Sequence, residues 1–351
     1  MKRAIPVREA VERMGSAHTP IEGRAGKLRL DFNENTVGCS PRVRAALARV
    51  TREQVATYPE YGVMRRRLAR FLRVAPDELL LANGGDDALR VIADAFLEPR
   101  ARVLVVDPTF PMYHFYAALT GACLVRLRYD GEMRFPLDDV LRALRNRPRV
   151  FFLANPNNPT GTLVTTAQLR AVLGAAKRTV VVVDEAYAEF SGVSALGWIR
   201  RYPNLIVVRT FSKAMGLAGL RLGCLLANRE LIAAMRKTQP PFAVNSLALI
   251  AADAAILDRA YIRRYVREVQ LARQELLRRL MQLGIKTFPS SANFLLADLG
   301  ERGAALLRAL KRQGILLRDR AAEFNRPGYV RITVGTRPQM RRLIRALERL
   351  W

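Results

Sequence analysis

Histidine is almost absent. Only His18 and His114 occur in 351 residues, which argues against a histidine-based triad or a histidine metal cluster. Cysteine is nearly as scarce: Cys39, Cys123 and Cys224 are odd in number, far apart and in no metal-ligand spacing, as expected of a reduced cytoplasmic protein with no resident metal. No apolar run approaches the roughly 20 residues that span a bilayer. The N-terminus, Met1-Lys2-Arg3-Ala4, leads into charged residues rather than the apolar stretch of a signal peptide. Internal repeats and low-complexity segments are missing too.

Negative charge is also in short supply. Against 31 Asp and Glu stand 58 Lys and Arg, a formal net charge of +27, and 51 of the 58 are arginine. Such an excess suits nucleic acid, an anionic membrane or acidic substrates. The arginines, however, run along the whole chain without interleaved aromatic platforms. The clusters Arg65-Arg66-Arg67 with Arg70 and Arg73, and Arg341-Arg342 with Arg345 and Arg349, repeat every three or four residues beside leucines. That spacing predicts solvated faces of amphipathic helices. Weak nonspecific anion binding is the expected by-product, and neither a specific nucleic-acid partner nor a membrane is expected.

What the chain has is alternation. Arg102 to Val106, Val150 to Leu153, Val180 to Val183 and Leu205 to Val208 are short, continuously apolar runs, the pattern of strands covered on both faces. Leu137 to Leu144 and Thr166 to Ala176 carry helical spacing between them. The reading is an α/β fold with a mostly parallel central sheet. Residues 1–45 read as a loop-like arm and 46–245 as a large α/β domain. Residues 246–351 read as a smaller α+β domain, opening with a long helix after the break at Pro240-Pro241 and containing strands at Phe294 to Ala297 and Val330 to Val334. The arm is expected to pack near the small domain.

In open parallel sheets ligands gather at the carboxyl ends of strands, and four polar motifs fall there. Asn83-Gly84-Gly85-Asp86-Asp87 opens a helix, where free N–H groups favour a phosphate, although Asp86 as an N-cap is an equal reading. Asp107-Pro108-Thr109-Phe110-Pro111 offers Phe110 as a stacking face, and Asn155-Pro156-Asn157-Asn158-Pro159 holds more asparagines than a turn requires. Val183-Asp184-Glu185-Ala186-Tyr187 ends a strand on a carboxylate, which burial makes costly without a cationic partner such as a protonated pyridine nitrogen. After the next strand come Thr210-Phe211-Ser212-Lys213 and Arg221. This places a lysine able to form a Schiff base beside hydroxyls and a guanidinium able to hold a phosphate. Together these residues point to pyridoxal phosphate.

With Asp31-Phe32-Asn33-Glu34-Asn35, Thr57-Tyr58-Pro59-Glu60, Pro289 to Phe294, Gly314 to Asp319 and Val330 to Thr336 added, the chain resembles, over nearly its whole length, the fold-type I pyridoxal-phosphate enzymes of the class I/II aminotransferase group. Its nearest likeness there is to the histidinol-phosphate aminotransferase family. The resemblance implies that Lys213 is the Schiff-base lysine and proton shuttle, and that Asp184 pairs with the ring nitrogen. Asn158 and Tyr187 would bond the ring oxygen, and Phe110 would stack on the ring. Backbone at Gly85 and Asp86, with Thr210, Ser212 and Arg221, would hold the phosphate. Tyr58 would reach the cofactor phosphate of a second subunit in a homodimer. Arg331, Arg318, Asn33 and His18 would face the substrate.

The implied reaction moves an amino group between glutamate/2-oxoglutarate and histidinol phosphate/imidazole-acetol phosphate in histidine biosynthesis. Thr36-Val37, Phe110 and the Gly85-Asp86-Asp87 run depart from the commoner family pattern, and His18 falls near where a tyrosine is usual. An aromatic amino-acid aminotransferase and a threonine-phosphate decarboxylase are the alternatives on the same fold. A basic regulator with a degenerate aminotransferase domain is the alternative of another class, but the first 45 or so residues show no helix-turn-helix pattern.

Overall fold

Every strand predicted from an apolar run is present, usually one or two residues longer. The computed structural model describes residues 6–15 and 22–351. In chain order the strands among these are β1 (Leu28–Leu30), β2 (Leu79–Ala82), β3 (Arg102–Asp107), β4 (Cys123–Arg128), β5 (Val150–Ala154), β6 (Val180–Asp184), β7 (Leu205–Thr210), β8 (Gly223–Ala227), β9 (Lys286–Thr287), β10 (Phe294–Asp298), β11 (Ile315–Asp319) and β12 (Tyr329–Thr333).

Seven of them form one sheet in the order β2-β8-β7-β6-β5-β3-β4. Strands β3 to β7 run parallel, and β8 is antiparallel to both of its neighbours. The continuous apolar runs reflect burial on both faces. On β6, Val181 and Val183 belong to one apolar cluster and Val182 to another, and Val207 and Val208 of β7 divide the same way. Successive strand side chains point to opposite faces, so a strand covered twice has no polar position to spare.

The second sheet, in the order β1-β11-β12-β10-β9, carries a separate apolar cluster shared with the helices Arg259–Gln282, Gly303–Arg312 and Arg337–Leu350. On the last helix Met340, Leu343, Ile344 and Leu347 are buried while Arg341, Arg342, Arg345 and Arg349 are exposed. The arginine clusters there are the solvated face that their spacing predicted.

Two expectations need correction. The arm is not wholly loop: β1 pairs in parallel with β11, Leu28 opposite Ile315. Three residues are too few for alternation to register, and the strand exists because a distant edge offers it hydrogen bonds. The long helix expected after residue 246 is two helices, Ser246–Leu257 and Arg259–Gln282. They break at Asp258, whose carboxylate accepts from the Tyr261 N–H at 3.2 Å and caps the second.

At the start of β8, Gly223 stands between Ala82 and Thr210. A methyl group on it would lie 2.6 Å from the carbonyl carbon of Gly84. Backbone cannot yield as a side chain can, so Gly223→Ala is expected to lower stability by about 1–3 kcal/mol, read as a fall in the thermal midpoint.

Candidate active site

Strands β5, β6 and β7 end side by side, and the loops beyond those ends converge. Asp184, the last residue of β6, is 7% exposed. Its carboxylate accepts from the Tyr113 hydroxyl at 2.8 Å and from the Ala186 N–H at 3.1 Å. No cation pairs with it among the described residues. Burial raises its carboxyl from 3.8 to about 6, with the bonds from Tyr113 and Ala186 opposing the rise.

A native pKa above the unfolded one means that the folded chain binds the extra proton. Stability is therefore fullest below about pH 4 for this group and is lost as pH rises through about 6. Asp184→Asn is expected to remove that loss, on the order of 3 kcal/mol, in ligand-free protein. Thermal midpoints of the two proteins at pH 4, 5, 6 and 7 check it. Parallel curves would contradict it.

Beyond β7, Lys213 is partly buried, and its Nζ donates to the Phe32 carbonyl at 3.0 Å. The same nitrogen lies 5.9 Å from the centre of the Tyr187 ring. Tyr187 is buried, and its hydroxyl accepts from Asn33 Nδ2 at 3.0 Å. Asn33 is in turn fixed by Thr333, whose hydroxyl donates to Asn33 Oδ1 and accepts from the Asn33 N–H, both at 3.0 Å. The arm and β12 thus orient the tyrosine next to the lysine.

Beside them is a cradle of anion-binding character. The helix Gly84–Phe96 begins there with Asn83 as N-cap and no side-chain cap, so Asp86 lies inside the first turn and is not the N-cap. Gly84 has φ +84°, and a methyl on it would lie 2.6 Å from Arg221 Nη2. Gly85 faces Thr210, at 3.9 Å for a methyl there. The Thr210 hydroxyl accepts from the Ser212 N–H at 3.2 Å, and Ser212 Oγ is buried with no hydrogen-bond partner. Arg221 reaches the cradle and pairs with Asp86 at 3.2 Å. A helix N-terminus without a side-chain cap, an orphan hydroxyl and a guanidinium are the donors that an anion takes.

Arg331 is 3% exposed, yet no carboxylate partners it among the described residues. Its Nη1 donates to Asn158 Oδ1 at 2.6 Å and its Nη2 to the Asp31 carbonyl at 2.5 Å, while Nε has no partner. Burial lowers its pKa to about 9, and the nearby guanidiniums of Arg320 and Arg318 act in the same direction. Arg318 stands opposite Arg331 across β11 and β12, over the Phe32 ring. A buried guanidinium in such surroundings favours an incoming anion.

Lys213, Tyr187 and Asn33 form one chain of contacts and Asn158, Arg331 and Arg318 another, the two meeting at Phe32, while Asp184 bonds Tyr113 and Ala186 at the end of the neighbouring strand. Of the asparagine cluster, Asn155 and Asn157 are used within the loops, bonding Val164, Pro108 and Thr160, and only Asn158 reaches Arg331. Phe110 lies at the start of the helix Pro111–Thr120, edge-on to Tyr113 at 5.8 Å. Tyr58 stands apart: it is 76% exposed and stacks on Phe242 at 4.2 Å. His18 lies outside the described residues.

Tyr113 stands in no polar motif, and its one signal in the sequence is its place three residues after Phe110, the N-cap of its helix. Asp31 and Phe32 meet Arg331 and Lys213 through carbonyl groups, which leave no side-chain signature. Among the described residues no cluster of His, Cys, Asp and Glu could hold a metal ion, and no helix is long and apolar enough to cross a membrane.

The sequence profile described as "Aminotransferase class I and II" matches residues 25–347. A protein of Symbiobacterium thermophilum named histidinol-phosphate aminotransferase is 39% identical, over 97% of this chain and 98% of its own. The crystal structure of histidinol-phosphate aminotransferase from Sinorhizobium meliloti in complex with pyridoxal-5'-phosphate superposes with a TM-score of 0.87 at 27% identity, covering 98% of this chain and 97% of that one. L-threonine-O-3-phosphate decarboxylase from Porphyromonas gingivalis superposes with a TM-score of 0.79 at 28% identity, covering 92% and 98%. The chain belongs to the aminotransferase class I and II family.

Proposed function

We propose that this chain is a pyridoxal 5'-phosphate-dependent transaminase that moves an amino group between glutamate/2-oxoglutarate and histidinol phosphate/imidazole-acetol phosphate. The observation that carries the substrate reading is the Arg331 and Arg318 pair. One guanidinium is buried, the other half-buried, and the two sit opposite each other on neighbouring strands. A guanidinium fork fits a carboxylate and a phosphate ester alike, so one site can take both substrates in turn. The name of the 39% identical relative supports the same substrate.

The residues fit the cofactor at four points. Asp184 is a buried carboxylate lacking a cation, as a protonated ring nitrogen requires. Ser212 Oγ is an orphan buried hydroxyl within the cradle, where Gly85, Asp86, Thr210 and Arg221 would share a phosphate. Asn158 and Tyr187 offer hydrogen bonds to a ring oxygen, and Phe110 offers a face. When bound, the cofactor would supply an aldehyde that takes up an amine with loss of water, and an electron-poor ring that acidifies the substrate's α-hydrogen.

The chain's own residues do the rest. Lys213 Nζ, released from its bond to Phe32, takes and returns the proton at the substrate's α-carbon. Tyr187, held by Asn33, sets the polarity beside that amine, and Arg331 orients the carboxylate or phosphate of the substrate. The working division is an arm of residues 1–45, a cofactor-binding unit of 46–245 and a small unit of 246–351. The active form is a cytoplasmic homodimer to which exposed Tyr58 contributes across the interface.

The test is steady-state 2-oxoglutarate-dependent deamination of histidinol phosphate beside phenylalanine and threonine phosphate. Histidinol phosphate is expected to have the highest kcat/KM. Preference for phenylalanine, or carbon dioxide release from threonine phosphate, would overturn the assignment.

A further inference from the structure

The amino ends of the central strands carry a second basic site that transamination does not use. Arg102 opens β3, Arg149 precedes β5 and Arg178 lies two residues before β6. These segments are direct neighbours: the Arg149 N–H donates to the Arg102 carbonyl at 2.8 Å, and the Val180 N–H donates to the Arg149 carbonyl at 3.1 Å. Arg100 and Arg147 close the group from the adjoining turns. The five arginines and Glu98 line one open cavity of about 400 Å³.

Five guanidiniums face one carboxylate there, and that carboxylate is only loosely engaged, with Arg149 Nη2 at 3.5 Å from Glu98 Oε1. Like charges on adjacent strands repel. The cluster also differs from the arginine faces of the helices, because two of its members stand in left-handed backbone: Arg100 has φ +66° and Arg147 has φ +50°. That conformation costs a non-glycine residue about 1–2 kcal/mol. The fold nonetheless holds both, through Arg100 N–H to the Gly121 carbonyl at 2.8 Å and Arg147 N–H to the Leu144 carbonyl at 3.0 Å. Arg102 is likewise held, its guanidinium donating to the Asn146 carbonyl.

We propose that this cavity binds a short linear phosphate chain, free or carried by a nucleotide, at the edge of the sheet opposite the candidate active site. A chain of linked phosphates carries its oxygens over a longer span than a single orthophosphate, so it can meet forks that stand on separate strands and turns. No aromatic side chain lines the cavity, so recognition rests on the phosphates and not on a stacked base. Its size and concave shape suit a small ligand rather than a polymer lying along a groove. The site is independent of the transamination reading, and its failure would leave that reading untouched.

The experiment is calorimetric titration of the cofactor-loaded protein with tripolyphosphate at fixed salt, with ATP and orthophosphate titrated separately. Tripolyphosphate is expected to bind at one site per chain and tighter than orthophosphate. Arg147→Ala/Arg149→Ala is expected to weaken it about a hundredfold, at about tenfold for each charged hydrogen-bonding group removed. Arg341→Ala/Arg345→Ala removes equal charge from a distant exposed helix face and is expected to leave the affinity within about twofold. Arg178→Ala, at an exposed site, is the second variant, expected to weaken binding about tenfold should the double variant fold poorly. Transamination by all of these is expected to match the parent.

ATP binding as tightly as tripolyphosphate would identify the nucleotide-borne chain as a ligand, and ATP binding tenfold or more weakly would identify the free chain. Equal weakening by the cavity and control double variants would overturn the proposal, because net charge alone would then hold the anion. Orthophosphate binding as tightly as tripolyphosphate, or a single-stranded oligonucleotide displacing tripolyphosphate at lower concentration, would overturn it as well.

Discussion

Lys213→Ala is expected to lower transamination by about 10⁴-fold or more, because in the proposed mechanism one side chain serves as both covalent anchor and proton carrier. The variant is expected to fold normally. Lys213 is only partly buried, and its amine makes a single hydrogen bond, to the Phe32 carbonyl at 3.0 Å. The parent protein with pyridoxal phosphate should be yellow, with a visible band abolished by borohydride, and the variant should lack the borohydride-sensitive band. A variant that keeps both band and activity would assign the role to another amine. Lys27, Lys177, Lys237, Lys286 and Lys311 are at other places in the fold, and none adjoins Asp184 or Tyr187 by a hydrogen bond among the described residues.

Arg331→Leu is the second large effect. It removes the buried fork proposed to meet the substrate's anionic group, and losses of roughly 2–5 kcal/mol are usual for a buried charged group paired with an incoming ligand. The expected outcome is a fall of about 10²- to 10³-fold in kcat/KM for glutamate, carried mainly by KM. Stability should move little. The substitution leaves Asn158 Oδ1 and the Asp31 carbonyl without their donor, but it also removes a buried cation that has no carboxylate partner. A large drop in thermal midpoint with unchanged KM would make Arg331 a structural residue.

The opposed pressures on Asp184 and Arg331 describe the site's electrostatics. Burial raises the carboxyl of Asp184 to about 6 and lowers the guanidinium of Arg331 to about 9. Each group is held in a surrounding that disfavours its own charge, and each is relieved by a partner of opposite sign. Preorganised charge of this kind costs folding stability and returns it on binding. The ligand-free chain should accordingly be stabilised by pyridoxal phosphate more strongly at pH 7 than at pH 5.

Much of this was legible in the sequence where chemistry forces a residue type. The apolar runs of β3, β5, β6 and β7 read as buried strands because both faces are covered, and their ends located Asp184, Asn158 and Lys213. Motif order did what no single motif could. What the sequence hid depends on pairing over distance. The strand Leu28–Leu30 is real only against Ile315–Leu317. Tyr113 belongs to the site only because its hydroxyl meets Asp184. Arg221 looked free for a phosphate, and in the fold it already leans on Asp86. The basic excess misled in one respect. Arginines at helical spacing are solvated faces, but those at the amino ends of the parallel strands are scattered in sequence and meet only in the folded sheet.

In the proposed function, this site moves an amino group from histidinol phosphate by way of Lys213. Its most direct test is a half-reaction: histidinol phosphate is added to the cofactor-loaded protein with no oxo-acid acceptor, and the visible band is followed. About one equivalent per site is expected to bleach the band, and 2-oxoglutarate is expected to restore it. A band untouched by histidinol phosphate, while phenylalanine bleaches it or threonine phosphate releases carbon dioxide, would rule histidinol phosphate out as the amino donor.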